Sequence, residues 1–505
     1  MKLCCILGTM RRIGFDNKKY VQMQSANIRS RISQFNDKLY LEFGGKLFDD
    51  YHASRVLPGF LPDSKVNMLR QLKDDAEIII AIYAGDIEKS KIRNDLDIAY
   101  DNEVLRLIDA FRSKGLYVSS VVITRYNGEA AADAYANRLK SLGISVYKHY
   151  PIPGYPNNIP LIVSDDGFGK NDYIKTTRPL VVVTAPGPGS GKLAVCLSQL
   201  YHEAKHGIKA GYAKFETFPI WNIPLKHPVN LAYEAATTDL DDVNMIDPFH
   251  LEAYGVTTVN YNRDVDSFPV LNAIFEKIGG SSPYKSPTDM GVNMAGYCIT
   301  DDEVVSAAAK QEIIRRYYKA RCDFRRGIVP ESQELKLELL MNTCGISEKD
   351  RPVIGAALKK SQETDGLPAV AIELKNHKMV EGKTSDLIGA AAGAIVNALK
   401  ALGKISPEID LMSAVVIQPI QDLKVKCLGN QNPRLHSDEV LIALSICAAT
   451  NPTAALALKQ LPKLRGLEAH STVILSAADM NVYRRLGINI TCEPNYQQDG
   501  RLYHK

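Results

Sequence analysis

Short apolar runs alternate with amphipathic stretches along most of the chain. EIIIAIYA (77–84), LYVSSVVIT (116–124), ISVYKHY (144–150) and PLVVVTA (179–185) predict buried strands. LIVS (161–164) predicts a further one. Between them, DNEVLRLIDAFRSKG (101–115) and EAAADAYANRLKSLG (129–143) place apolar residues at helical spacing and end on glycine. KLAVCLSQLYHEAKH (192–206) predicts a helix with Leu193, Leu197, Leu200 and Ala204 on one stripe. Strands alternating with helices of this length make βαβ units and a parallel sheet. Ahead of this rhythm, KLYLEFGGKLF (38–48) predicts a hairpin turning at Gly44–Gly45.

The pattern then changes. Residues 215–300 are punctuated by Pro219, Pro224, Pro228, Pro248, Pro269, Pro283 and Pro287, which predicts long irregular loops. Residues 300–327 predict a strong helix opened by a Thr300–Glu303 capping box, and 332–344 another. From about 366, strands are predicted at 368–376, 413–419, 471–476 and 488–494. Helices are predicted at 385–403, 437–450 and 479–486. The expected fold class is α/β and multi-domain. A Rossmann-like parallel-sheet part spans 1–299, a helical bridge 300–365, and a C-terminal three-layer α/β sandwich 366–505.

Composition narrows the class. Of the 505 residues, 45% are hydrophobic and 23% charged, which excludes a disordered, collagen-like or disulfide-stapled chain. The net charge of +4 supplies no global field toward nucleic acid or an anionic membrane. Nine cysteines without a CxxC pair read as reduced thiols. The N-terminal apolar run is too short for a signal-peptide core. The most apolar helix, 387–402, carries Asn397 and Lys400 and does not read as a membrane span. A cytoplasmic protein is expected, with Met10 as its natural start.

The sharpest motif runs from Thr184 through Ala185, Pro186, Gly187, Pro188, Gly189, Ser190 and Gly191 to Lys192. A strand enters it and a helix leaves it. Glycines let backbone N–H groups converge on an anion, the helix N-terminus adds positive character, and a lysine reaches outer phosphates. Pro186 and Leu193 depart from the Walker pattern, and Leu193 removes the usual magnesium ligand. Gly187, Gly189, Ser190, Gly191 and Lys192 are the phosphate-binding candidates, and ATP or another phosphorylated ligand is the expected cofactor, with magnesium as an optional companion. A second anion loop is expected where Lys383, Thr384 and Ser385 precede a helix, Thr384 or Ser385 capping it.

His202-Glu203-Ala204-Lys205-His206 matches the zinc-peptidase spacing HExxH. Its place in the last turn before Gly207 fits a capped surface helix better, so zinc is not expected and no metal ligand is assigned. Residues 215–255 concentrate unusual polar groups, and Asp242 to Asp247 loosely resembles a strand ending in a magnesium-binding acid. Lys192, Asp247 and His227 are the catalytic candidates. RRYYKARCDFRR (315–326) reads as a solvated basic face rather than a nucleic-acid surface.

GFDNKKY, GKLFDDYHASRVLPGFLPDSK, VTAPGPGSGK, the 214–255 stretch, ARCDFRRG and GKTSDLIGAAA together resemble the bacterial uncharacterised protein family 0371, also called domain of unknown function 1846. The resemblance runs from residue 14 to at least 393 and implies a multi-domain α/β protein with a separate C-terminal sandwich. It transfers no catalytic residue. The expected function is a phosphate- or nucleotide-binding enzyme of transferase or ligase type acting on a small anionic metabolite. A non-catalytic metabolite-binding protein and a zinc peptidase built on HEAKH are the alternatives. Neither nucleic acid nor membrane is an expected partner, and a homo-oligomer is left open.

Overall fold

The computed structural model describes residues 12–35, 38–45, 47–48, 50–93 and 98–497. Met10, the expected start, lies outside them, as do Cys4 and Cys5. The described chain forms two compact units. One holds 13–234 and 241–308, the other 309–497 with the stretch 235–240.

The first unit is built on seven parallel strands. They are β1 (Leu39–Phe43), β2 (Ala76–Tyr83), β3 (Tyr117–Thr124), β4 (Ser145–Lys148), β5 (Leu180–Thr184), β6 (Gly211–Phe215) and β7 (Gly291–Val292). Their spatial order is β7–β6–β1–β5–β2–β3–β4. Buried runs such as Ile78–Ile82 and Leu180–Val183 are what a parallel sheet covered on both faces requires. The principal helices are α1 (Asn17–Gln34), α2 (Tyr100–Ser113), α3 (Ala130–Ser141), α4 (Lys192–Lys205) and α5 (Asn262–Gly279). From β2 the chain adds β3 and β4 outward on one side. It then returns to insert β5 between β1 and β2, and adds β6 and β7 on the other side. Neighbouring strands β5 and β2 therefore send their connections in opposite directions. That is the switch point where open α/β sheets form a crevice beyond their carboxyl ends.

Several expectations are corrected. No hairpin forms at 38–48. Leu39 pairs in parallel with Leu180 on one side and Gly211 on the other. A local glycine pair suggested a turn, but both edges of this apolar run are taken by distant strands. Residues 161–164 are not a strand, because Ile159–Ile162 is one helical turn; four apolar residues cannot tell the two apart. The Pro-rich segment is not mainly loop. It holds helices Pro228–Ala236, Pro248–Tyr254, α5 and Pro287–Met290, and a strand pair of Asn244–Ile246 with Val259–Tyr261. Pro228, Pro248 and Pro287 stand at the first helical position, where the missing N–H costs nothing. Pro269 lies inside α5. On α4, Ala204 is exposed, and the buried positions include the polar Gln199 and Glu203.

Helix α6 (Asp302–Arg325) opens on Asp301, whose carboxylate accepts the Val304 N–H at 3.2 Å, so Thr300 is not the cap. Helices α7 (Glu331–Thr343) and α8 (Pro352–Gln362) follow. The second unit carries a mixed sheet of β8 (Ala369–Glu373), β9 (Met379–Lys383), β10 (Glu468–Ser471) and β11 (Asn489–Cys492) in the order β9–β8–β10–β11. The first two pairings are antiparallel and the last is parallel. Its helices are α9 (Ala390–Gly403), α10 (Ala414–Asp422), α11 (Ser437–Cys447), α12 (Pro452–Leu458) and α13 (Ala477–Leu486). Val370 and Ile372 join α9 in one core, while α8 packs against the same strands outside that core, giving three layers. The predicted strand at 413–419 is α10, and the strand expected at 471–476 ends at Ser471. Among the described residues no helix is long and apolar enough to cross a membrane.

One buried ion group braces this unit. Arg351, 1% exposed, donates to Glu468 at 2.7 Å and to the carbonyls of Ala469 and Asn489. Arg315 also donates to Glu468. Burial would raise the Glu468 carboxyl, but the two guanidinium groups pull it down to about 2.

Glu468→Gln leaves Arg351 buried without its carboxylate and should cost about 3–5 kcal/mol in urea unfolding at pH 7. Because the folded carboxyl titrates below its unfolded value, this contribution is lost as pH falls from about 4.5 to about 2. The gap between wild type and variant should therefore shrink at pH 3, and an unchanged gap would contradict the assignment. Separately, a methyl on Gly382 would collide with the α9 backbone at Ala390 and Ala394, whereas one on Gly393 would meet only ordinary contacts. Gly382→Ala should lose about 1–3 kcal/mol and Gly393→Ala should be tolerated, both measured by thermal unfolding.

Candidate functional site

The Gly-rich loop leaves β5 at the switch point and enters α4 at Lys192. Gly189 and Gly191 take left-handed φ values of 76° and 83°, which the loop needs in order to turn. Its carbonyls are turned away and held. Ser190 Oγ donates to the Gly187 carbonyl at 2.9 Å, and Thr124 Oγ1 donates to the Ser190 carbonyl at 2.8 Å. Arg125 Nη2 donates to the Gly189 carbonyl at 2.6 Å, with its guanidinium stacked 3.5 Å from the Tyr83 ring. Arg125 itself sits at φ 51°, an uncommon conformation for a side chain of its size. A methyl on Gly187 would run into the Tyr100 hydroxyl.

The Ser190 and Gly191 amides share peptide planes with the tethered Gly189 and Ser190 carbonyls and so face the other way. Among the described residues, the N–H groups of Gly187, Gly189, Ser190 and Gly191 have no acceptor. Ser190 is fully buried, so its N–H is a buried donor without a partner, which is rare in folded proteins. Lys192 is half-buried at the first turn of α4 and has no ion-pair partner among the described residues. Amides without acceptors, a helix N-terminus and an unpaired lysine are the groups that an anion-binding loop uses. The Ser190 hydroxyl is tied to the loop's own carbonyl and Leu193 is apolar, so the loop supplies no evident side-chain ligand for magnesium.

Charged residues also gather at the carboxyl ends of β1 and β6. Lys214 lies 2.8 Å from Glu216 and 2.5 Å from Asp264 of α5. Glu42 accepts from the Tyr212 hydroxyl at 2.7 Å. Burial pushes Glu216 up to about 7. Lys214 opposes the shift, while Asp264 and Glu42 add to it. Burial works against the Lys214 ammonium, but the three carboxylates outweigh it and raise its pKa. Glu42 and Lys192 both act on the buried Cys196 thiol, which burial first and Glu42 second raise well above its usual value while Lys192 opposes them. Strand β6 lies two places from β5, about 10 Å across the sheet. The sequence carried a signal for this group. Glu42 and Lys214 interrupt otherwise apolar strands, near their carboxyl ends.

The other candidates stand elsewhere. Asp247 is fully buried, caps Pro248–Tyr254 through the His250 N–H, and accepts from the Thr288 amide and hydroxyl. Both its oxygens are engaged in bracing. His227 accepts from the Val229 N–H at Nδ1 and meets Asp302 at Nε2, 2.9 Å away. No hydrogen bond or ion pair among the described residues joins either of them to the Gly-rich loop. Lys383 is the exposed last residue of β9. Thr384 donates through its N–H and its hydroxyl to the Pro368 carbonyl, and Ser385 closes a turn with Ile388. Gly389, not Thr384 or Ser385, caps α9.

In HEAKH, Glu203 is buried beside Lys38 and accepts from Tyr40, both at 2.7 Å. The residue that a zinc peptidase would use as its base is thus tied into the sheet. Arg315 and Arg321 of the basic helix are engaged with Glu312, Glu468 and Glu348.

The chain matches two family models end to end. The first, "Domain of unknown function DUF1846, N-terminal", covers residues 13–345, and the corresponding C-terminal model covers 349–503. A UPF0371 protein of Streptococcus uberis is 60% identical over 496 residues, and one of Streptococcus thermophilus 59%. One from Streptococcus pneumoniae is 58% identical. Each alignment spans 98% of this chain and all of the relative. With both halves matched and relatives near 60% identity along the whole length, the chain belongs to the UPF0371 family, whose two domains are the DUF1846 pair.

Proposed function

We propose that the carboxyl edge of the parallel sheet binds a small phosphorylated metabolite and that the protein is an enzyme of transferase or ligase type. The observation that carries this reading is the buried, unpartnered Ser190 N–H beside the unpaired Lys192 at the switch point. The loop amides and Lys192 would take the phosphate, and Lys192 would stabilise charge building on the transferred or leaving group. Glu216, with a pKa of about 7, is close to half ionised near neutral pH and suits proton removal from an attacking hydroxyl. The span of about 10 Å between β5 and β6 fits one small molecule with its phosphate on the loop and its reacting end near Glu216. The phosphate would be held by N–H groups and lysine, with no magnesium ligand from the loop's side chains.

Binding is tested by isothermal titration and thermal shift with nucleotides, sugar phosphates and inorganic phosphate, with and without Mg²⁺. Loss of the charged contact in Lys192→Ala should weaken the best ligand about 10- to 100-fold. An equal affinity in the variant would remove the loop from the site.

Catalysis is tested through Glu216 once a turned-over substrate is found. Wild-type kcat should rise with pH through about 7 as Glu216 ionises. Glu216→Gln should lower kcat far more than KM and flatten that profile. The raised carboxyl also makes folded wild type lose stability as pH rises from about 4.5 through about 7. Glu216→Gln should therefore gain stability relative to wild type at pH 8. A tight ligand with no turnover under any condition would support the non-catalytic binding protein instead.

A further inference from the structure

The second unit leaves an apolar surface that nothing in its own fold covers. In α10 only Ile417 is buried, although AVVIQPIQD is mostly apolar. The helical turn Leu423–Cys427 continues it. Lys424 pins that turn to the start of α11 by donating to Glu439 at 2.7 Å and to the Arg434 carbonyl. Helix α10 packs on α11, and α11 on α12. On the outside, Val415 is 80% exposed, Leu428 74%, Ile442 62%, Ile446 60% and Leu423 53%.

We propose that this α10–α11 face is the interface through which two copies of the chain associate about a two-fold axis. Three arguments favour a second copy. The first is area. At roughly 100 Å² apiece, these residues and Val425 expose on the order of 600 Å² between them. Two copies with a polar rim would bury about 1,200 Å² or more, where stable interfaces begin. The second is charge. Asp422 and Lys426 pair with each other at 3.0 Å on the helix, so the face meets its own copy without a block of like charge. The third argues against a membrane, because a lipid-binding face carries a basic rim, whereas here Asp422 balances Lys426 and Asp438 is exposed.

Sedimentation velocity of the full-length chain at micromolar concentration tests this. Wild type should be dimeric. The double variant Ile442→Glu/Ile446→Glu should weaken association about tenfold or more, while still unfolding cooperatively, because both side chains are solvent-facing. Leu428→Lys, on a different element, should do the same. Leu339→Glu alters another exposed leucine, on α7, and should leave the dimer intact. A monomeric wild type overturns the proposal, as does a dimer that survives both α10–α11 variants or breaks in Leu339→Glu. With a monomeric wild type, vesicle co-sedimentation lost in Ile446→Glu would reassign the face to a lipid surface.

Discussion

The insertion of β5 between β1 and β2 is the constraint on which the first unit depends. A parallel sheet gathers all its strand carboxyl ends along one edge. Only a strand arriving late and in the middle, with its outgoing connection reversed against its neighbour's, opens a crevice there. The Gly-rich loop lies at that point because β5 ends there, and Glu216 shares the edge because β6 runs parallel two places away. Had β1 paired as a hairpin, one of its two edges would have been taken, and β5 and β6 could not both lie beside it.

Within that frame, side chains decide which way the loop faces. Thr124 and Arg125 stand at the end of β3 and hold the loop carbonyls, while Ser190 holds another from inside. A peptide plane that points its C=O one way points its N–H the other, so tethering the Gly189 and Ser190 carbonyls turns out the Ser190 and Gly191 donors, while the Gly187 carbonyl precedes Pro188 and frees none. Two glutamates sit in different surroundings, Glu203 buried and Glu216 partly buried. Glu203 has Lys38 and a tyrosine hydroxyl close to hand. Glu216 shares one lysine with Asp264, under the field of Glu42, and is left with a carboxyl poised near neutrality. The glutamate of the HExxH spacing is thus tied into the sheet, while Glu216 stands just past the end of β6 beside Lys214.

Much of the fold was legible from pattern. The apolar runs of β2, β3 and β5 are rich in Ile and Val and alternate with the longer amphipathic α2, α3 and α4, and α6 is longer still. Misreadings fell on short or punctuated text. Residues 161–164 and 413–419 are brief apolar runs whose helical state comes from packing, and 413–419 forms an outer helix whose surface the fold leaves open. Prolines in 215–300 were counted as breakers, though three of them start helices. Of the candidate residues, the loop set is contiguous in sequence and lies between β5 and α4. Asp247, His227, Lys383, Thr384 and Ser385 proved to be capping, bracing or surface groups whose partners lie far along the chain or in turns no pattern encodes.

By itself the sequence determined the α/β class, the strand-to-helix context of the Gly-rich loop and its want of a magnesium-binding hydroxyl after Lys192, because these depend on residues within a few positions of one another. Tertiary structure alone decided the strand order, the direction the loop amides face, the grouping of Glu42, Lys214, Glu216 and Asp264, and the surface left bare on α10 and α11. Each of these depends on contacts between residues tens to hundreds of positions apart. Local periodicity reports which side of an element is apolar, and says nothing of what that side, or a buried charge, will finally meet.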